Sequence, residues 1–283
     1  MPIDRRSLCL LAGATCIARR GHAESPPLPV LEMGLLPNVS ARLLLARYQP
    51  LRDYLARVSN HRVQISAAPN WNVFHQRSLA LVYDLVVTAP NLARLAQLDA
   101  GYTPVVSYAP PMKGLLVFAS ARPMQSLGQL RGQSLALSNP QSLVALRGMQ
   151  WLAENGLQRD RDFKTVSTPA DDSVGSVLIR GDAIAAMLSG GEYRVIPETM
   201  RSQLQVLLSF ADVPGFVLMA SPRLGAAQAR SIQEHLLAFA AASDEGKAFF
   251  TSTGFTAMTE PAPGLMQSLD AYAAATRQLM ATS

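Results

Sequence analysis

Short apolar strands alternate with amphipathic helices along this chain, and the alternation breaks twice. Val30–Pro37, Val63–Ala68, Asp84–Thr88 and Thr103–Tyr108 read as strands, each separated from the next by one helix. Strands linked by single helices favour a parallel sheet covered on both faces. At Pro110-Pro111-Met112 the pattern changes, and the strand Gly114–Ser120 is entered without a helix. The alternation then restarts: strand 133–138, helix 141–155, strand 163–167, helix 171–180, strand 183–188. A second helix-free junction, Ala211-Asp212-Val213-Pro214-Gly215, joins Leu204–Phe210 to Phe216–Ala220. The remainder reads as helical: Gln228–Ala242, Asp244–Thr253 and Gly264–Met280. Two such crossings around a middle α/β block predict a two-lobed α/β fold. Each lobe is expected to be a mostly parallel sheet flanked by helices, with two strands as hinges. Residues 27–110 plus 214–283 would form one lobe and 115–208 the other.

Four strand ends run into small polar turns that open helices: Leu36-Pro37-Asn38-Val39-Ser40, Thr88-Ala89-Pro90-Asn91, Ser138-Asn139-Pro140-Gln141-Ser142 and Leu188-Ser189-Gly190-Gly191. A helix N-terminus carries unpaired N–H donors and a partial positive charge, so it holds polar or anionic groups. Ligands of open α/β sheets sit beyond the carboxyl ends of the strands. A cleft between the lobes would thus be lined by Asn38, Ser40, Thr88, Asn91, Asn139, Gln141, Ser142, Asp171, Asp172, Ser189 and Glu192. Several of these have an equally ordinary structural role. Ser40 and Ser142 suit helix N-caps, Asp171-Asp172 suits a helix start, and Thr88 and Asn91 divide between capping and binding. Trp71, Phe74 and Tyr108 are candidates for an apolar wall, or for plain core packing.

The N-terminus differs from the rest. Arg5-Arg6 precedes the apolar segment Ser7–Ala18, and Gly21-His22-Ala23 supplies small residues suited to cleavage. Residues 1–23 therefore read as an export signal, by the general secretory or the twin-arginine route. Both cysteines lie in it, so a processed chain has no thiol chemistry. Its removal takes four Arg and one Asp, and the net charge falls from +5 to 21 − 19 = +2. No Lys/Arg cluster interleaved with aromatics points to nucleic acid. No run reaches the roughly 18 apolar residues of a membrane span. His61, His75 and His235 lack paired ligand spacing, and no nucleophile elbow, phosphate loop or zinc-binding His pair occurs. The expectation is no catalytic residue, no metal and no cofactor.

Several segments, in order, resemble the periplasmic substrate-binding proteins of phosphate/phosphite/phosphonate ABC transporters. They are Leu35-Leu36-Pro37, the helix Tyr48–Leu55, Asp84–Pro90, Leu127–Ala136, Gly156-Leu157 before Arg161–Lys164, Arg180–Ala186 and Gly254-Phe255. The resemblance implies the type II periplasmic-binding fold, with a ligand held between two lobes. At the ligand positions the chain departs from the family pattern. The Ser-Thr-Ser-Gly-like turn stands as Ser142-Leu143-Val144-Ala145, a His-Asp pair as Asp171-Asp172, and a tyrosine as Ala93. Losing hydroxyls and gaining a carboxylate predicts weak binding of a doubly charged phosphonate and a ligand of smaller charge.

The resulting expectation is an exported, non-enzymatic solute-binding protein. It would capture a small polar or anionic molecule between its lobes and present it to an ABC permease. One alternative is a periplasmic sensor subunit signalling to a membrane sensor kinase. Another is an enzyme on the same scaffold.

Overall fold

The computed structural model describes residues 28–168, 173–242 and 244–282. The expected leader (1–23) and the Asp171-Asp172 pair lie outside the described residues. The chain opens β1 (Val30–Leu35), α1 (Ala41–Val58), β2 (Arg62–Ala67), α2 (Trp71–Leu79), β3 (Leu85–Thr88), α3 (Pro90–Ala100) and β4 (Thr103–Ala109). It continues with β5 (Met112–Ala119), β6 (Ser134–Leu137), α4 (Leu143–Glu154), β7 (Lys164–Ser167), α5 (Val174–Arg180) and β8 (Ala185–Ser189). The short helices α6 (Gly190–Val195) and α7 (Glu198–Arg201) follow, then β9 (Leu204–Val213) and β10 (Val217–Ala220). The chain ends in α8 (Gly225–Ala242), α9 (Asp244–Thr253), β11 (Ala257–Thr259), α10 (Leu265–Ser268) and α11 (Asp270–Thr282).

These strands form two sheets, in the orders β11-β4-β10-β3-β1-β2 and β7-β6-β8-β5-β9. Both are mixed. Parallel pairs fall where helices connect the strands: β1 with β2 and β3, and β6 with β7 and β8. Antiparallel pairs fall where a strand arrives directly from the other sheet. Thus β5 lies antiparallel beside β8 and β9, and β10 antiparallel between β3 and β4. The two helix-free junctions, β4 to β5 and β9 to β10, are where the chain passes from one sheet to the other. The expectation that everything after 228 is helical misses β11, a three-residue strand that pairs antiparallel with β4 at the sheet edge. Three residues are too few for a period-2 signal to emerge.

Alternation along the strands sorts side chains into separate cores. In β1 and β3, Leu31, Met33, Leu35, Leu85 and Val87 face a core built with α1, α8 and α9. In β5 and β6, Val117, Ala119 and Ala136 face α5. The opposite faces of both sheets, through Val86, Val217, Met219, Leu116, Phe118 and Leu135, belong to a single core. That shared core runs from α2 and α3 under the first sheet to α4 on the second.

Gly34 marks one tight approach in the first sheet. A Cβ there would lie 2.5 Å from the Tyr83 ring, which is 1% exposed. That ring stacks on Phe74 with centroids 5.8 Å apart. We expect Gly34→Ala to destabilise the fold by about 1–3 kcal/mol through overpacking. An unchanged urea midpoint would contradict this. His75 in α2 supplies a pH test. Burial pushes its imidazole below the ordinary value, with Asp99 opposing and Arg277 reinforcing. The unfolded chain therefore takes up a proton below about pH 6.5 that the folded chain resists. Stability should fall as pH drops from 7 towards 5, less steeply in His75→Gln. Parallel pH profiles of the two proteins would show that His75 is not the cause.

Candidate functional site

The corners at the ends of β3, β6 and β8 meet between the two sheets. At the β3 corner Thr88 is 1% exposed, and its hydroxyl has no partner among the described residues. Pro90 occupies the first turn of α3, where its missing N–H costs nothing. Asn91 is also 1% exposed. Its Nδ2 donates to the Gln141 carbonyl at 2.9 Å and to Thr276 Oγ1 at 3.2 Å. Its Oδ1 has no partner. The bond to Gln141 crosses from the first sheet's helices to the β6–α4 loop. A weaker one crosses beside it, from Gln141 Nε2 to Asn72 Oδ1 at 3.5 Å.

Ser142 is the N-cap of α4, its Oγ accepting from the Ala145 N–H at 3.1 Å. That is the capping role open to it from sequence. Leu143 and Val144 follow with no hydroxyl to offer. At the β8 corner Ser189 and Glu192 form a capping box. Glu192 is 9% exposed, and its carboxylate accepts three hydrogen bonds. One oxygen accepts from Ser138 Oγ at 2.6 Å and Asn139 Nδ2 at 3.1 Å, and the other from the Ser189 N–H. Asn139, Ser189 and Glu192 are thus bound to one another.

Asn38 follows β1 in a tight turn, its N–H donating to the Leu36 carbonyl at 2.9 Å. Ser40 is exposed and lines neither of the spaces described below. Contrary to expectation its side chain makes no cap bond; only its backbone carbonyl starts α1. Phe74 and Tyr108 are core residues rather than a wall, packed respectively on Tyr83 and on Phe216, Phe249 and Phe255. Trp71 does reach the site; it is 6% exposed, and its indole N–H has no partner.

Two adjoining spaces lie at these corners. A slot of about 40 Å³ is bounded by Trp71, Ala89, Pro90, Asn139, Ser142, Leu143 and Val144. Next to it, beside the Pro110-Pro111 crossing, lies a chamber of about 370 Å³. Asn38, Met112, Ser189, Glu192 and Phe216 border both. The chamber also carries Arg47, Lys113 and Arg194, which the sequence reading did not place there. Arg194 Nη2 donates to the Gly254 carbonyl at 2.9 Å, a further bond between the two halves of the molecule. Gly254 has φ +79°, the left-handed region that favours glycine.

The groups brought together here are neutral hydrogen-bonding side chains, one carboxylate and three cations. Among the described residues no group of three His, Cys, Asp or Glu could hold a metal ion. His61 and His235 border one surface hollow, but the ring nitrogens of His61 are bonded to the Ser59 carbonyl and to Gln228. Burial pushes the Tyr48 hydroxyl up to about 12, and that of Tyr108 well above its ordinary value, so neither is a base at neutral pH. Among the described residues no helix is long and apolar enough to cross a membrane.

Solved structures share this architecture. XAC2383 from Xanthomonas citri bound to ATP superposes with a TM-score of 0.73 at 21% identity, covering 88% of this chain and 98% of that one. PhnD1 from Prochlorococcus marinus in complex with methylphosphonate gives 0.77 at 14% identity, covering 88% and 98%. The alkanesulfonate-binding protein SsuA from Xanthomonas axonopodis pv. citri bound to MOPS gives 0.64 at 15%, covering 89% and 95%. At such identities the likeness establishes the fold: two mixed sheets flanked by helices, of the type II periplasmic-binding class. Residues 33–263 match the family described as the phosphonate ABC transporter periplasmic substrate-binding protein, a transporter component that binds substrate. The chain belongs to that family.

Proposed function

We propose that the chain is an exported binding protein. It captures a small oxyanion between two lobes, residues 27–110 plus 214–283 and residues 115–208, and delivers it to the membrane component of an ABC transporter without chemical change. The observation that carries this reading is the slot. Elements of both sheets border it, Trp71, Ala89 and Pro90 from the first and Met112, Leu143, Val144 and Glu192 from the second. A ligand that touches both borders makes its full set of contacts only when the lobes meet around it. Such differential contact is what lets a ligand drive closure. Asn91–Gln141 and Arg194–Gly254 are the direct contacts of the closed arrangement. Methylphosphonate, ATP and MOPS, found in the related folds, all carry an oxyanion, which favours the same class here.

Two measurements test the reading. In a thermal-shift screen against phosphate, phosphonates, sulfonates, amino acids, polyamines and vitamins, we expect oxyanions to stabilise the protein. The gain should be about 2.7 kcal/mol at a hundredfold excess over Kd. Trp71→Ala removes one wall of the slot, and should weaken the bound oxyanion about tenfold or more. Silence from every class would dispose of solute capture. Gly254→Val forces a β-branched residue into positive φ where the Arg194 guanidinium sits. We expect the variant to have a larger radius of gyration by small-angle scattering, reversed by saturating ligand. An unchanged radius in both states would argue against lobe closure.

A further inference from the structure

The slot and the chamber adjoin but differ in chemistry. The slot is walled mostly by the indole of Trp71 and the carbon of Ala89, Pro90, Leu143 and Val144, with Asn139 and Ser142, both already hydrogen-bonded, also on its border. One water needs about 10–15 Å³ measured this way, so 40 Å³ admits a group of roughly three heavy atoms. An oxyanion pushed there would lose its hydration against carbon, which is unfavourable. The Ser142 hydroxyl oxygen is already engaged with Ala145 N–H, and the next two residues are apolar.

The chamber is the opposite. Three cations, Arg47, Lys113 and Arg194, stand against one carboxylate, Glu192, whose oxygens are already taken by Ser138, Asn139 and the Ser189 N–H. Arg194 spends a donor on the Gly254 carbonyl and pairs with no carboxylate among the described residues. A guanidinium has five N–H donors, enough to hold both that carbonyl and an oxyanion. Lys113 lies 4.0 Å from Asp212 with side chains 67% and 64% exposed, a pair worth little. The positive character continues into an adjoining hollow of about 390 Å³ bordered by Arg47, Arg194 and Arg201.

Resting on the binding reading above, we infer that this chain takes an organic oxyanion tail first. A short apolar end fills the slot beside Trp71, and the charged head lies in the chamber at Arg194 and Lys113. The head is thus read from the side of the crossing strands and not by the N-terminus of α4. Selectivity against inorganic phosphate follows, because phosphate has nothing to put in the slot.

Titration calorimetry of the full chain tests this with inorganic phosphate, methyl-, ethyl- and propylphosphonate, and propanesulfonate. Affinity should rise about fourfold per added carbon from methyl to propyl, the increment of a buried methylene. Propanesulfonate should bind and phosphate should be weakest. Arg194→Gln and Lys113→Gln should each weaken every member at least fivefold and flatten the dependence on salt. Ser142→Ala should stay within twofold of the parent. If Arg194→Gln disturbs the fold, Lys113→Gln, whose exposed ammonium makes no bond between the lobes, decides the matter. Equal affinity along the series, or a larger loss in Ser142→Ala than in the two cation variants, overturns the orientation. Binding of a polyamine with no phosphonate or sulfonate bound overturns it too, yet leaves solute capture standing. No binding by either group removes both.

Discussion

The position of β10 governs the rest of the structure. It lies antiparallel between β3 and β4, and all four of its residues are fully buried. It arrives only after the chain has built the whole second sheet. Until then β3 and β4 have no common neighbour, and the first sheet is in two pieces. The same strand shapes the site. Its first residue, Val217, pairs with Thr88 at the end of β3. Phe216, just before it, accepts a backbone hydrogen bond from Tyr108 at 2.8 Å and borders both slot and chamber. Completion of the core and placement of the cleft are therefore one event, achieved through contacts distant in sequence. Such contacts form late, because the closing loop costs entropy before it returns any packing.

The shared core adds a second constraint. One continuous set of buried side chains runs from α2 and α3 to α4 and the second sheet. Apolar burial is non-directional, so it draws the two halves together without fixing how closely they meet. Direction comes from a few polar contacts, Asn91 to Gln141, Gln141 to Asn72 and Arg194 to Gly254. Each is modest in net energy. A cleft held by weak directed bonds is balanced so that a small ligand has leverage over it.

Much of the fold is legible in the sequence, because it is carried by periodicity. The β-α alternation, the two helix-free crossings and the strand ends all follow from where apolar residues recur. The antiparallel insertions are not, since a strand's direction in a mixed sheet depends on which neighbours it finds. At the site, the corner residues Thr88, Asn91, Asn139, Gln141, Ser142, Ser189 and Glu192 do come together. What each does there is decided by its partners: Ser142 caps a helix, and Asn139 and Glu192 satisfy each other. Ser40 fits the cap pattern equally well and caps nothing with its side chain. Arg47, Lys113 and Arg194 left no trace, because a cation on the polar side of a helix or at a strand start is what solvent alone would select. The adjacency of Lys113 to Pro110-Pro111, and of Arg194 to Glu192-Tyr193, was the only available hint.

Glu192 shows how one charge read alone can mislead. In sequence it reads as an acid lining the cleft. In place, its two oxygens accept from three donors, one a backbone N–H of its own capping box. A ligand amine seeking this carboxylate would share it with Ser138, Asn139 and the start of α6. An approaching anion meets one hydrogen-bonded carboxylate and three cations beside it. Three positive charges against one negative make the chamber positive.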